Sequence, residues 1–153
     1  MVVRWEDQKA AEREAKAAAE GRIPSVLDGV IGGLPALTRS IKLQKRAARV
    51  GFDWAETADI LDKIEEEIGE LREELGEADP ARLQDEMGDL LFAVTNLARR
   101  LDIDPETALR GTNAKFDRRF RRIEAWLAES GRNPAQSDLA EMEALWVRAK
   151  NEE

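Results

Sequence analysis

Apolar residues recur along this chain at spacings of three and four, the period of helices with one buried face, and Gly- or Pro-rich breaks cut the pattern into segments. Residues 3 to 20, rich in Ala, Glu and Lys and ending at Gly21, have the composition of a mostly exposed helix with a glycine stop. Ile23 to Gly33 holds Pro24 and several glycines and predicts a loop. Leu34 and Pro35 open a second helix that aligns Leu37, Ile41 and Ala48 and runs out near Gly51. A third helix is predicted over about 56 to 76 from Ile60, Ile64, Ile68, Leu71 and Leu75. Gly76 to Pro80 breaks it, and a fourth follows from Pro80 to about Leu101 with Leu83, Met87, Leu90, Val94, Leu97 and Leu101. Asp104 before Pro105 suits the cap and first turn of a fifth, striped by Leu109, Phe116, Phe120, Ile123 and Leu127. After Gly131 to Pro134, Asp138 with Glu141 resembles a capping box for a last helix carrying Leu139, Met142, Trp146 and Ala149. The fold class is all-α, and 153 residues suit a single domain spanning residues 1–153.

Composition narrows the chemistry. A net charge of -8 disfavours binding to a nucleic-acid backbone. The chain has no Cys and no His, so thiolate nucleophiles, Ser-His-Asp catalysis and imidazole or thiolate metal sites are all excluded. Carboxylates, lysines, hydroxyls and hard metals remain. No apolar run approaches the roughly 18 residues of a membrane span, and the N-terminus is not a signal peptide, so a cytoplasmic location is expected.

Two short acidic motifs stand out, EEIGE at residues 66 to 70 and EMGD at 86 to 89. With about 100° of turn per residue, Glu67, Glu70, Glu74 and Lys63 fall on one flank of the third helix's apolar stripe. Glu86, Asp89 and Arg82 fall on the same-handed flank of the fourth. The short break predicts an antiparallel hairpin, in which same-handed flanks emerge on one side, so Glu67 and Glu70 face Glu86 and Asp89 at one level. Four converging carboxylates repel unless a cation neutralises them, and all-oxygen ligation selects a hard ion such as Mg²⁺. An acidic flank is otherwise a solvated surface, but two pairs on matching flanks favour the metal.

Basic and aromatic partners are more ambiguous. Lys115 and Arg119, with Arg122 extending the row, either hold triphosphate oxygens or form an exposed basic face. Trp146 and Lys150 share a helix face, so the indole either stacks on a base or belongs to the core. The run KLQKRAAR from Lys42 to Arg49 reads as a solvated helix face with no chemistry.

The spacing of EEIGE and EMGD resembles the EExxE and ExxD motifs of the MazG-type branch of all-α nucleoside triphosphate pyrophosphohydrolases. LPALTRSIKLQKRAARVGFDW, DEMGDLLFAVTNLARRL and NAKFDRRFRRIE are similar to its C-terminal catalytic domain, and the likeness extends over nearly the whole chain. The resemblance implies a catalytic core over about 34–129 and a nucleotide-contacting helix over about 138–152. It implies Mg²⁺, replaceable by Mn²⁺, on Glu67, Glu70, Glu86 and Asp89. It places nucleotide contacts at Lys63, Glu66, Lys115, Arg119, Trp146 and Lys150, with Arg82 at a position that is basic in relatives. The implied reaction is hydrolysis of nucleoside triphosphates to monophosphate and pyrophosphate, with Glu66 orienting the water, in a homodimer whose two hairpins form a four-helix bundle and which engages neither nucleic acid nor membrane. A dUTP or dCTP pyrophosphatase of the same superfamily and a non-catalytic helical dimerisation module are the alternatives.

Overall fold

The computed structural model describes residues 2–77 and 79–153, with residues 2–4 and 77 described by backbone alone. It is all-helical: α1 (Val2–Ala19), α2 (Ala36–Arg49), α3 (Thr57–Glu77), α4 (Pro80–Arg100), α5 (Pro105–Glu129), a 3₁₀ turn (Pro134–Gln136) and α6 (Leu139–Asn151), with no strand among the described residues. Each helix lies where the apolar period and the Gly and Pro breaks put it; the centre of the α3–α4 turn, Ala78, is outside the described residues. The chain divides into two compact units, Met1–Pro105 and Glu106–Glu153.

In the first unit α3 and α4 pair along their length as a hairpin, and α2 lies against α4. Asp79 caps α4 by accepting the Ala81 N–H at 3.0 Å, with Pro80 in the first turn where its missing N–H costs nothing. A polar seam joins α2 to α4: Ser40 and Thr95 share a hydroxyl hydrogen bond, and the Gln44 amide donates to both and to the Phe92 carbonyl. Gly51 supplies the positive φ of 89° with which the chain leaves α2. The segment that follows is tied down by α4, because Arg99 and Arg100 grip the Asp53 carboxylate and Arg100 donates to the Trp54 carbonyl at 3.0 Å. Glu6 of α1 pairs with Arg49 of α2 at 2.8 Å.

The interior of α3 is not the stripe that the period alone suggests. Its buried line is Ile60, Glu67 and Glu74, each seven residues apart, while Leu75, expected in the core, is 64% exposed. Met87, Val94 and Leu101, expected in the α4 stripe, are likewise exposed, together with Leu61 and Leu91. In the first unit α2 packs against α4, and these side chains lie on other faces of α3 and α4 that stay exposed.

In the second unit Ile123, Leu127 and Ala149 are buried, whereas Leu109, Phe116 and Leu139, expected in the stripes, are exposed. Asp138 caps α6 through the Glu141 N–H at 2.8 Å; the Glu141 carboxylate is held by Arg132. Trp126 lies between the Arg122 and Arg148 guanidinium groups, 4.9 and 4.1 Å from its ring centroid. Glu153 fastens the end of the chain to α5, one oxygen on Arg118 at 2.8 Å and the other on Arg119 at 2.7 Å.

Arg119 first and then Arg118 stabilise the Glu153 carboxylate and hold its pKa down to about 2 from the usual 4.5. A depressed carboxyl contributes its full stability above the ordinary glutamate pKa and loses it as the pH falls toward 2. The melting-temperature difference between the wild type and Glu153→Gln should therefore be present at pH 7 and shrink between pH 4.5 and pH 2, and it should be reduced by salt. A difference independent of pH would refute this pairing.

Candidate functional site

The hairpin brings the first acidic motif against the second. Glu67 and Glu70, one turn apart on α3, and Glu86 on α4 each place a carboxylate oxygen within 4.8 Å of the other two. Glu67 is 4% exposed, Glu86 half-buried and Glu70 exposed. One Glu67 oxygen takes the Lys63 ammonium at 2.7 Å, and Lys63 also reaches Glu66 at 3.0 Å. These two carboxylates, Glu67 before Glu66, raise the Lys63 pKa and keep it charged. The other Glu67 oxygen and one oxygen of Glu86 are buried with no hydrogen-bond partner. Burial, then the charges of Glu67 and Glu86, push the Glu70 carboxyl above its usual pKa. Buried acceptors without donors are costly, and so are crowded like charges. A divalent cation removes both costs, so the residues present fit a hard metal ion such as Mg²⁺.

The other expected site residues are distributed more widely. Asp89 is exposed and lies outside the close carboxylate group, but it borders, with Lys63 and Glu67, a cavity of about 710 Å³ within the first unit. Glu66 is exposed and engaged by Lys63. Arg82 pairs across the hairpin with Glu74, a buried glutamate whose second oxygen has no partner. On α5 and α6, Lys115 and Lys150 are exposed. Trp146 is half-buried with its ring 5.4 Å from Phe116 and 5.3 Å from the Arg119 guanidinium. Arg119 is bound to Glu153.

Period and motif did not single out the cavity. Its walls combine apolar and aromatic groups, among them Phe52, Trp54, Ile60 and Phe92, with polar Gln44, Asn96, Asp53 and Arg99. The expectation of a solvated face for Lys42 to Arg49 holds for Lys42, Lys45 and Arg49 but not throughout. Gln44 is 8% exposed, and Arg46 donates to the Val26 and Asp28 carbonyls at 3.1 and 3.2 Å. A signal was present: Gln44 stands three residues after Ile41 and four before Ala48, on the apolar line of α2.

Comparison with known proteins agrees with this geometry. Residues 56–123, which hold the hairpin and its carboxylates, match the MazG nucleotide pyrophosphohydrolase domain. The nucleoside triphosphate pyrophosphohydrolase of Escherichia coli (strain K12) is 45% identical over 155 residues, covering 100% of this chain and 57% of that protein. The Thermotoga maritima nucleoside triphosphate pyrophosphohydrolase/pyrophosphatase MazG is 39% identical over 147 residues, covering 95% of this chain and 54% of the relative. An uncharacterized Bacillus subtilis protein is 44% identical over 154 residues, which is 30% of its length. The chain thus spans little more than half the length of the first two.

If the carboxylate cluster holds a cation in the folded state alone, Mg²⁺ should raise the melting temperature, with a gain of about 2.7 kcal/mol at a hundredfold excess over its dissociation constant. Glu67→Ala or Glu86→Ala should erase that gain. A calorimetric scan showing the same Mg²⁺ response in these variants would remove the cluster from consideration.

Proposed function

We propose, from the match of residues 56–123 to the MazG nucleotide pyrophosphohydrolase domain, that the chain hydrolyses nucleoside triphosphates between the α and β phosphates, releasing a nucleoside monophosphate and pyrophosphate. The observation that carries this reading is the group Glu67, Glu70 and Glu86, with buried unpartnered oxygens, beside a cavity also bordered by Lys63 and Asp89. The length relation to the relatives bears on the fuller activity, so substrate range and partners are part of the proposal.

Glu67, Glu70, Glu86 and Asp89 are the residues that would hold Mg²⁺, with Mn²⁺ as a substitute, and a bound cation would neutralise phosphate charge and acidify a water molecule. Lys63, kept charged by Glu67 and Glu66, borders the cavity as a counter-charge for phosphate oxygens. With no histidine in the chain, a carboxylate is the protein's own proton acceptor, and Glu66 is exposed and one hydrogen bond from Lys63. The water oxygen joins phosphorus as the bridging P–O bond breaks, and Glu66 orients that water. Arg82, Lys115, Arg119 and Lys150 are assigned to the nucleotide by family resemblance, and Trp146 to the base.

Homodimerisation belongs to the same proposal. On α3, Leu61 and Leu75 lie about 80° to 120° round the helix from Glu67, and on α4, Met87, Leu91 and Val94 lie about 80° to 140° from Glu86 in the same rotational sense. These exposed side chains form the apolar back of the hairpin, a face suited to a second hairpin in a four-helix bundle.

Purified protein with Mg²⁺ and mixed nucleoside triphosphates should release pyrophosphate rather than orthophosphate, and Glu70→Ala or Asp89→Ala should cut the rate by about a hundredfold or more with the helical signal intact. Full turnover in either variant would overturn the ligand assignment, and no pyrophosphate from any nucleotide would overturn the function. In sedimentation the wild type should run as a dimer and Val94→Glu as a monomer. A wild-type monomer would defeat the bundle.

A further inference from the structure

The Gln44 amide has one satisfied end and one open end. Its nitrogen donates to Ser40 Oγ at 2.8 Å, to the Phe92 carbonyl at 3.2 Å and to Thr95 Oγ1 at 3.2 Å. The Phe92 carbonyl only accepts, which favours the nitrogen on that side of the amide. The remaining atom, Oε1, is buried and has no hydrogen-bond partner. Gln44 borders the same cavity as Lys63, Glu67 and Asp89, among apolar walls that include Phe92 and Ala93.

An acceptor without a donor in a desolvated wall is a standing cost that a ligand N–H would remove. Phosphate oxygens cannot do so, because they too are acceptors at neutral pH. The cavity therefore has direction: Lys63 suits the anionic end of a nucleotide, and Gln44 suits an end that is flat, apolar on its faces and equipped with N–H at its edge. We infer that Gln44 is a base-binding residue for the hydrolysis proposed above, its Oε1 accepting a hydrogen bond from an N–H on the edge of the nucleobase. Every common base offers such a group, an exocyclic amine on adenine, cytosine and guanine or a ring N–H on uracil, thymine and guanine. Gln44 thus requires an N–H without choosing among the bases. It makes base recognition a property of the α2–α4 seam.

The inference rests on the reading of the cavity as a nucleotide site, and the experiment separates the two. ATP is compared with N6,N6-dimethyl-ATP, and UTP with 3-methyl-UTP, each pair differing by loss of the N–H. The wild type should favour the unmethylated member by about tenfold or more, chiefly in KM. Gln44→Met keeps length and removes the acceptor. It should bring both ratios close to one while leaving competition by inorganic tripolyphosphate unchanged. The variant should fold, because Thr95 Oγ1 still donates to the Phe92 carbonyl at 2.8 Å and still meets Ser40. Thr95→Val controls for packing: it loosens the seam without touching Oε1, so it should lower the melting temperature and keep the discrimination. Equal wild-type KM values within each pair would overturn the inference, as would discrimination that survives in Gln44→Met, which would mark a steric clash with the methyl groups. Titration of the same pairs as α,β-methylene analogues reads base recognition without turnover, so failure of hydrolysis and failure of Gln44 give different results.

Discussion

The structure turns on the burial of carboxylates in the seam of a two-helix hairpin. Glu67 and Glu74 occupy, with Ile60, the innermost line of α3, where an ordinary helix would place leucine or isoleucine. Each is compensated on one oxygen by a cation, Lys63 for Glu67 and Arg82 for Glu74, and each keeps a second oxygen without a donor. Half-compensation of this kind is destabilising by itself, and its natural counterpart is a ligand that brings positive charge. Desolvation first, and then the charges of Glu67 and Glu86, raise the Glu70 pKa, while those of Glu152 and Glu153, held by arginines, fall.

That arrangement constrains what surrounds it. The cavity beside Glu67 needs a wall opposite the hairpin, and α2 with the segment after Gly51 provides one. The segment has little packing of its own, since Phe52 is 83% exposed, and it is positioned by Arg99 and Arg100 at the far end of α4. Asp53 serves as the anchor: desolvation opposes its charge, but Arg99 and the Trp54 N–H outweigh it and keep the carboxylate ionised. One helix thus carries Glu86 and Asp89 near its start and, two turns or more further on, the arginines that hold the opposite wall in place.

Much of this was legible in the sequence because helical period, Gly and Pro punctuation and paired acidic motifs are local signals. The helices end where Gly21, Gly51, Pro80 and Gly131 suggest, and the same-handed flanks of α3 and α4 do bring Glu67 and Glu70 to Glu86. What local pattern could not give was which side of an apolar stripe finds a partner. Ile64, Ile68, Leu71 and Leu75 define the most apolar direction of α3, yet the chain's interior lies nearer Ile60 and Glu67, because coverage is decided by where α2 packs. Gln44 stands on the apolar line of α2, but a polar residue inside a basic run reads as surface until the hydroxyls of Ser40 and Thr95 are seen to receive it. Asp89, one turn beyond Glu86, borders the same cavity as Glu67.

The two sides of the hairpin therefore answer to different demands. On one side the residues are charged or polar and strained by unpaired acceptors; on the other they are Leu61, Leu75, Met87, Leu91 and Val94, apolar and uncovered. Burying that apolar back against a second hairpin would supply stability from a surface that carries none of the site's chemistry. A protein can tolerate unsatisfied carboxylates in its seam when the hydrophobic contribution comes from elsewhere, because total stability is a small difference between large opposing terms. On this view the proposed dimer and the proposed metal site are coupled without touching: pairing of the apolar backs offsets the strain that makes the carboxylate side ready for a cation.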